Sequence, residues 1–213
     1  NDIVVMYHKV DLERFHPENK GRYSEEIRRR YSIDKDEFVV LFVGSGFERK
    51  GVKYLLKAAE LLRYPVTVLI VGKGSENRFK RYVNRQRVIF CGPQKDVHKY
   101  YAASDIFVMP AIYEPFGLVY LEALASGIPV ITTGLSGAAE IVQDGINGFI
   151  IPLPEDYPTI AEKIQFLINH REEREEMGMN ARKLAERFSF AEYADEIMNL
   201  YKDIISRKKL SLP

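Results

Sequence analysis

Phe38-Val39-Val40-Leu41-Phe42-Val43 runs directly into Gly44-Ser45-Gly46-Phe47-Glu48-Arg49-Lys50-Gly51. Six consecutive apolar residues suit a strand covered on both faces, since a half-exposed strand would alternate apolar and polar. The glycines that follow mark a tight turn, and a helical pattern resumes over 52–63. The same order recurs: Val66-Thr67-Val68-Leu69-Ile70-Val71 is followed by Gly72-Lys73-Gly74-Ser75. Further strand-like runs lie near 3–6, 87–91, 105–109, 128–132 and 148–151, with helical stretches near 76–84, 95–103, 117–126 and 136–142. Strand and helix in this alternation predict an α/β fold, an open parallel sheet with helices on both faces. Ligands of such sheets bind beyond the carboxyl ends of the strands, so chemistry is sought in the residues after each strand.

The remaining sequence fits this frame. After Pro158 the pattern is helical only, over 158–169, 171–187 and 190–206. Residues 7–22 have no clear period and read as a long lead-in loop. A short helix is expected from about Ser24, with Arg28-Arg29-Arg30 at its end. In 213 residues, 46% hydrophobic and 29% charged residues indicate a packed core rather than disorder. The 31 Lys and Arg nearly cancel the 30 Asp and Glu, so the strongly basic balance of a nucleic-acid binder is missing. A single cysteine, Cys91, excludes an internal disulfide framework and reads as a small buried residue. No apolar run reaches the roughly 18 residues of a membrane-crossing helix. The chain begins at Asn1 without a Met and almost at once enters a strand-like run, which reads as a piece cut from something longer.

The most informative stretch for function is Glu114 to Glu140. Between these two acids lie 25 residues with one charge, Glu122, where a chain 29% charged would place about seven. The helix Leu118-Val119-Tyr120-Leu121-Glu122-Ala123-Leu124-Ala125 is apolar nearly all round and therefore buried. A carboxylate there needs partners. Taken alone, a buried ion pair or a backbone hydrogen bond explains it. The residues before it point further. Glu114-Pro115-Phe116-Gly117 joins a strand to this helix, and the helix's first free amides would face an anion, aided by the helix dipole. Glu122 lies one turn deeper on the same face as Leu118. A phosphate at the helix mouth and a hydroxyl-rich group against the two acids would suit such a site.

Gly44 to Gly51 is the second candidate. Its glycines permit a tight turn, and Arg49 and Lys50 supply charge for a phosphate. It is neither a P-loop nor a dinucleotide fingerprint. A glycine-rich turn with solvated bases is the plainer alternative, and the turn at Gly72 is weak by itself. The glycine loops at Gly117, Gly44 and Gly72 share one sheet edge, which says more than any one of them. His8, His16, His98 and His170 lack metal-ligand spacing. Arg28-Arg29-Arg30 and the run Arg78, Lys80, Arg81, Arg85, Arg87 read as surface charge, with an anionic membrane surface as the lesser reading.

Glu114-Pro-Phe-Gly-Leu-Val-Tyr-Leu-Glu122, with seven residues between the acids, resembles the E-x7-E motif of the retaining family 4 glycosyltransferases. Val10-Asp11 with Phe15 and Pro17, Arg49-Lys50-Gly51, Ala103-Ser104-Asp105, Ala125-Ser126-Gly127-Ile128-Pro129-Val130, Glu140-Ile141-Val142 and Asp144-Gly145-Ile146-Asn147-Gly148 match the same family in order. The wording from Val43 to Gly51 is most similar to the lipopolysaccharide core glucosyltransferase I branch.

The resemblance implies a GT-B enzyme, two Rossmann-like domains facing across a cleft, with this chain as the C-terminal, donor-binding domain. Residues 1–22 would lead in from an N-terminal acceptor domain that is absent. Residues 23–187 would form the nucleotide-sugar domain, and 188–213 a helix crossing back. Catalytic roles would fall to Glu114, at the donor sugar hydroxyls, and to Arg49 and Lys50, at the diphosphate. Donor binding would also use Gly44, Ser45, Gly72, Gln94 near the base, the turn amides of Phe116 and Gly117, the Leu118 and Val119 amides, and Glu122 at the ribose. Ser45 stands where many members carry Arg, so Arg49 is expected to take that role; Lys9 replaces a usual glycine. The donor expected is UDP-glucose, with no separate cofactor and no metal, and the partner a glycan or glycolipid acceptor. A cytoplasmic site with peripheral membrane contact is expected. The alternatives are a GDP- or ADP-sugar enzyme and a non-catalytic nucleotide-binding module.

Overall fold

The computed structural model describes residues 6–210. The strand expected near 3–6 lies outside the described residues but for Met6. Six parallel strands form one sheet: β1 Phe38–Val43, β2 Val66–Val71, β3 Arg87–Gly92, β4 Ile106–Val108, β5 Val130–Thr133 and β6 Gly148–Ile151. Their spatial order is β3-β2-β1-β4-β5-β6. The chain thus builds outward from β1 in one direction and then returns to build outward from β4 in the other. β1 and β4 are neighbours, with Val40 opposite Ile106 and Leu41 opposite Phe107. The crevice at the carboxyl ends of these two strands is the point where the strand order reverses, the ligand position of this architecture.

The central strands are buried on both faces, as continuous apolar runs require: every residue of β2, and all of β1 except Phe38, is buried. The covering helices are α1 Asn19–Arg30, α2 Val52–Glu60, α3 Val97–Ala102, α4 Leu118–Ala125, α5 Tyr157–Asn169 and α6 Arg171–Ala185, followed by α7 Phe190–Leu210. Leu41, Phe42, Leu55, Leu69, Phe107 and Tyr120 are among the largest side chains fully enclosed. Burial of each aliphatic or Phe side chain contributes about 1.5–3 kcal/mol.

Four expectations need correction. Helix α1 begins at Asn19, inside the stretch read as a loop, because its first turn (Asn19-Lys20-Gly21-Arg22) carries no apolar signal. Buried Asn19 fixes that turn by donating to the Arg14 carbonyl at 2.8 Å. The stretch 76–84 is two short 3₁₀ turns, Glu76–Arg78 and Lys80–Tyr82, rather than a helix. Phe79 is its one deeply buried anchor, and a single anchor makes no apolar stripe. The stretch 136–142 is likewise a 3₁₀ turn, Gly137–Glu140, capped by the Ser136 hydroxyl, which accepts from the Ala138 amide. Arg28 is not simple surface charge. Its guanidinium is mostly buried, donates to the Asp34 and Glu37 carbonyls, and lies 3.4 Å from Asp105. Asp105 in turn accepts from the Val39 amide at 2.9 Å, tying α1 to the start of β1. Cys91 is half-buried beside Gly92, and burial pushes its thiol up to about 11.

Candidate functional site

The β1–α2 turn and the β4–α4 turn face each other across the crevice. Gly51, at φ +79°, closes the first turn and caps α2; a Cβ there would sit 1.8 Å from the Pro110 carbonyl oxygen of the second. The Ile112 amide donates to the Arg49 carbonyl at 2.9 Å. Two backbone contacts therefore set the separation of the two loops, and glycine is required where they touch.

Glu114 is brought to both basic residues. Its Oε2 lies 3.1 Å from Lys50 Nζ and 3.4 Å from Arg49. The Lys50 ammonium and the carboxylate are almost wholly enclosed, whereas Arg49 is half-exposed and also donates to the Tyr113 carbonyl. Lys50 lies flat across Gly44, where a Cβ would stand 2.7 Å from its Cδ. That contact gives Gly44 a function the sequence did not show: it makes room for the lysine. An enclosed 3.1 Å pair with a second cation on its open side presents net positive charge to the crevice.

Gly117, at φ +79°, turns the chain into α4 without any side-chain cap. The Leu118 and Val119 amides open toward the crevice with no acceptor among the described residues, so they remain available to an anion. One turn deeper, Glu122 Oε2 and the Val119 carbonyl each lie 3.0 Å from the Tyr101 hydroxyl. Burial raises the Glu122 carboxyl above its ordinary value, against the Tyr101 hydrogen bond and the charges of Arg14 and Lys50, which lower it. Ionised Glu122 is thus under-satisfied, a state that incoming hydroxyl donors would relieve.

The turns at Gly44, Gly72 and Gly92 are joined by backbone. The Gly44 amide donates to the Val71 carbonyl at 2.8 Å and Gly72 to Gly92 at 2.9 Å, while the Lys73 amide donates to Ser45 Oγ at 3.2 Å. Gln94 spends its side chain on its own turn, donating to the Cys91 carbonyl at 2.6 Å. Phe116, half-buried, packs against the rings of Tyr7 and His8. The residues named from sequence as donor-site candidates therefore stand together at the carboxyl ends of the strands.

Sequence reasoning missed Arg14, Tyr101 and the loop after β5. Arg14, whose charge reaches Glu122, donates to the Lys95 carbonyl beside Gln94 at 2.6 Å. The β5 loop was readable as a further small-residue turn, Gly134-Leu135-Ser136-Gly137. It supports the site directly: Ser136 bridges Glu114, and the Gly137 amide donates to the Glu114 carbonyl at 2.9 Å. A Cβ on Gly137 would stand 1.8 Å from the Pro115 carbonyl oxygen. Gly137→Ala is expected to cost about 1–3 kcal/mol of stability through this clash. An unchanged denaturant midpoint would show that the loop yields without strain.

Residues 24–184 match the family model described as glycosyl transferases group 1. The lipopolysaccharide glucosyltransferase WaaG of Escherichia coli is 30% identical over 217 residues, covering 90% of this chain and 58% of that protein. The Anabaena protein HepE, solved with UDP and glucose, superposes with a TM-score of 0.81 at 24% identity over 94% of this chain and 57% of its own. The C-terminal domain of a group 1 glycosyl transferase, LpcC of Francisella tularensis, superposes with a TM-score of 0.71 at 24% identity, over 85% of this chain and 99% of that domain. The chain spans a little over half the length of the curated relatives it matches. Its sheet order, its turns and three-quarters of its sequence place it in one family: the chain belongs to the group 1 glycosyl transferases, which share the GT-B fold.

Proposed function

We propose that this chain is the donor half of a retaining glycosyltransferase that takes glucose from UDP-glucose and passes it to a glycan or glycolipid. The observation that carries the reading is the Lys50–Glu114–Arg49 cluster opposite the uncapped α4 amides, at the point where the strand order reverses. A diphosphate seated between them would meet Lys50, Arg49 and the Leu118 and Val119 amides. The same groups stabilise the charge that grows on the leaving diphosphate as the sugar bond breaks. Glu114 would accept from the sugar hydroxyls and Glu122 from the ribose. Gly44, Ser45, Gly72, Phe116, Gly117 and the turn at Gln94 would lie against the remainder of the nucleotide. This assigns the charge work to protein cations and amides and asks for no metal. HepE, solved with UDP and glucose, and WaaG, a glucosyltransferase, support uridine and glucose as the donor parts.

The acceptor would enter from a second domain. Supporting this, α7 carries exposed Met198, Tyr201, Ile204 and Ile205 toward the end of the chain, suited to packing against such a domain. None of the described helices is long and apolar enough to cross a membrane.

Calorimetric titration with UDP-, GDP- and ADP-glucose tests the donor. UDP-glucose is expected to bind most tightly; preference for another base moves the donor assignment, and no binding of any nucleotide removes the reading. The purified chain is expected to bind donor yet transfer no sugar, because positioning by a second wall supplies several kcal/mol of the barrier.

A further inference from the structure

A second hollow, of about 350 Å³, opens between the β1–α2 turn, the first turn of α2 and the 3₁₀ turns that precede β3. Phe79, buried against the Phe47 ring, lines its base, and half-buried Tyr54 and Tyr82 line its sides. Two cations on its wall lie against aromatic rings. Lys53 Nζ lies 5.4 Å from the Tyr54 ring centroid, and the Arg81 guanidinium 5.0 Å from that of Tyr82, whose hydroxyl it also reaches at 2.9 Å. Neither has a carboxylate partner among the described residues, whereas nearby Lys80 pairs with Glu76 and Arg78 with Glu48. Glu48 pairs with Arg78 and Glu155 accepts from the Tyr54 hydroxyl at 2.9 Å, while Lys53 and Arg81, held against aromatic faces, have neither acid as an ion-pair partner. Ile112 lines it as well, and the Ile112 amide is bonded to the Arg49 carbonyl of the donor cluster. The hollow therefore shares a wall with the candidate donor site.

We propose that this hollow binds a sugar unit bearing an anionic substituent, a phosphate above all, and that it serves as an acceptor subsite contributed by the donor half. The acceptor role rests on the donor reading above; the binding itself does not. Aromatic faces suit the C–H faces of a pyranose ring, as they suit other partly apolar ligands. Lys53 and Arg81 suit the substituent, since charge-assisted hydrogen bonds to phosphate are the stronger kind.

The test is titration of glucose 6-phosphate into the chain with saturating UDP present, so that the diphosphate position is already filled. Glucose and inorganic phosphate serve as controls, and Lys53→Gln/Arg81→Gln as the variant. Both positions lie at the protein surface, and equal melting temperatures establish that the variant folds. Glucose 6-phosphate is expected to bind at least about tenfold tighter than either control, and to lose about tenfold or more in the variant, with UDP affinity unchanged. Binding no tighter than phosphate alone, or equal in the variant, or absent, overturns the proposal. If UDP fails to bind while the glucose 6-phosphate response still depends on Lys53 and Arg81, the donor reading falls and the sugar-phosphate site stands.

Discussion

Lys50→Met is expected to weaken UDP binding by about 10- to 100-fold, the loss of a charged hydrogen bond worth roughly 1.5–3 kcal/mol. Uridine, which has no phosphate, should bind almost as before. The geometry adds a second consequence. Lys50 is the nearer of the two cations on Glu114, at 3.1 Å against 3.4 Å for Arg49, and both members of the pair are enclosed. Removing the ammonium alone strands the carboxylate, so the single variant should also melt earlier. Lys50→Met/Glu114→Gln removes both charges and should recover the melting temperature without recovering UDP. That split separates a phosphate contact from a salt bridge kept only for stability, which would restore both or affect neither ligand. Arg49→Ala should show the same ligand pattern with a smaller loss, since Arg49 is half-exposed and solvent screens it. Equal losses for UDP and uridine in Lys50→Met would show that Lys50 does not meet phosphate.

The two acids should behave oppositely. Glu122 is pushed upward by burial, so the folded chain holds its proton more tightly than the unfolded chain does. The sign follows from linkage: stability falls as pH rises from the ordinary carboxyl value to the raised folded one, and stays reduced above it. Glu122→Gln, uncharged at every pH, should therefore melt higher than the native chain near pH 8, with the advantage shrinking as the pH drops toward 4. The same variant should lose roughly tenfold or more in affinity for UDP and UDP-glucose alike, because ribose hydroxyls lose a charged acceptor. A substitution that stabilises the free protein while impairing binding marks a residue kept for function. Glu114→Gln should leave UDP nearly untouched and weaken UDP-glucose. If Glu114→Gln lowers both equally, its assignment to the sugar is wrong, even with the rest intact. If Glu122→Gln destabilises the free chain at neutral pH, its carboxylate is a satisfied structural partner instead.

The strands were legible because burial on both faces leaves an unmistakable apolar run, and six of the predicted runs match observed strands within a few residues. Helix α1 and the 76–84 stretch were misread where the local pattern carried too little apolar signal to show the period. Lys50 and Glu114 could be named from sequence as residues of suitable chemistry after strands β1 and β4. Their meeting could not, since it depends on β4 returning to lie beside β1. Arg14 lies beyond such reasoning for the same reason: it arrives from the lead-in segment and reaches the Lys95 carbonyl, 81 residues away. Arg182 holds that segment in place by donating to the Leu12, Phe15 and Ala125 carbonyls, three contacts with no period in sequence at all.

Gly44, Gly72 and Gly92 have a bearing on how such a site can change. They stand at, or one step past, the ends of three adjacent strands, and a Cβ on Gly72 would lie 2.0 Å from the Gly44 carbonyl oxygen. The floor of the crevice is therefore main chain, which selection cannot diversify one codon at a time without first disturbing the sheet edge. New preferences among donor bases have to arise at the rim, where Ser45, Lys73 and Gln94 carry the side chains, or through altered turn lengths. A mutant library spread over the three glycines should be poor in soluble members. One confined to the rim positions should stay largely folded and supply the variation on which a screen for new donors can act.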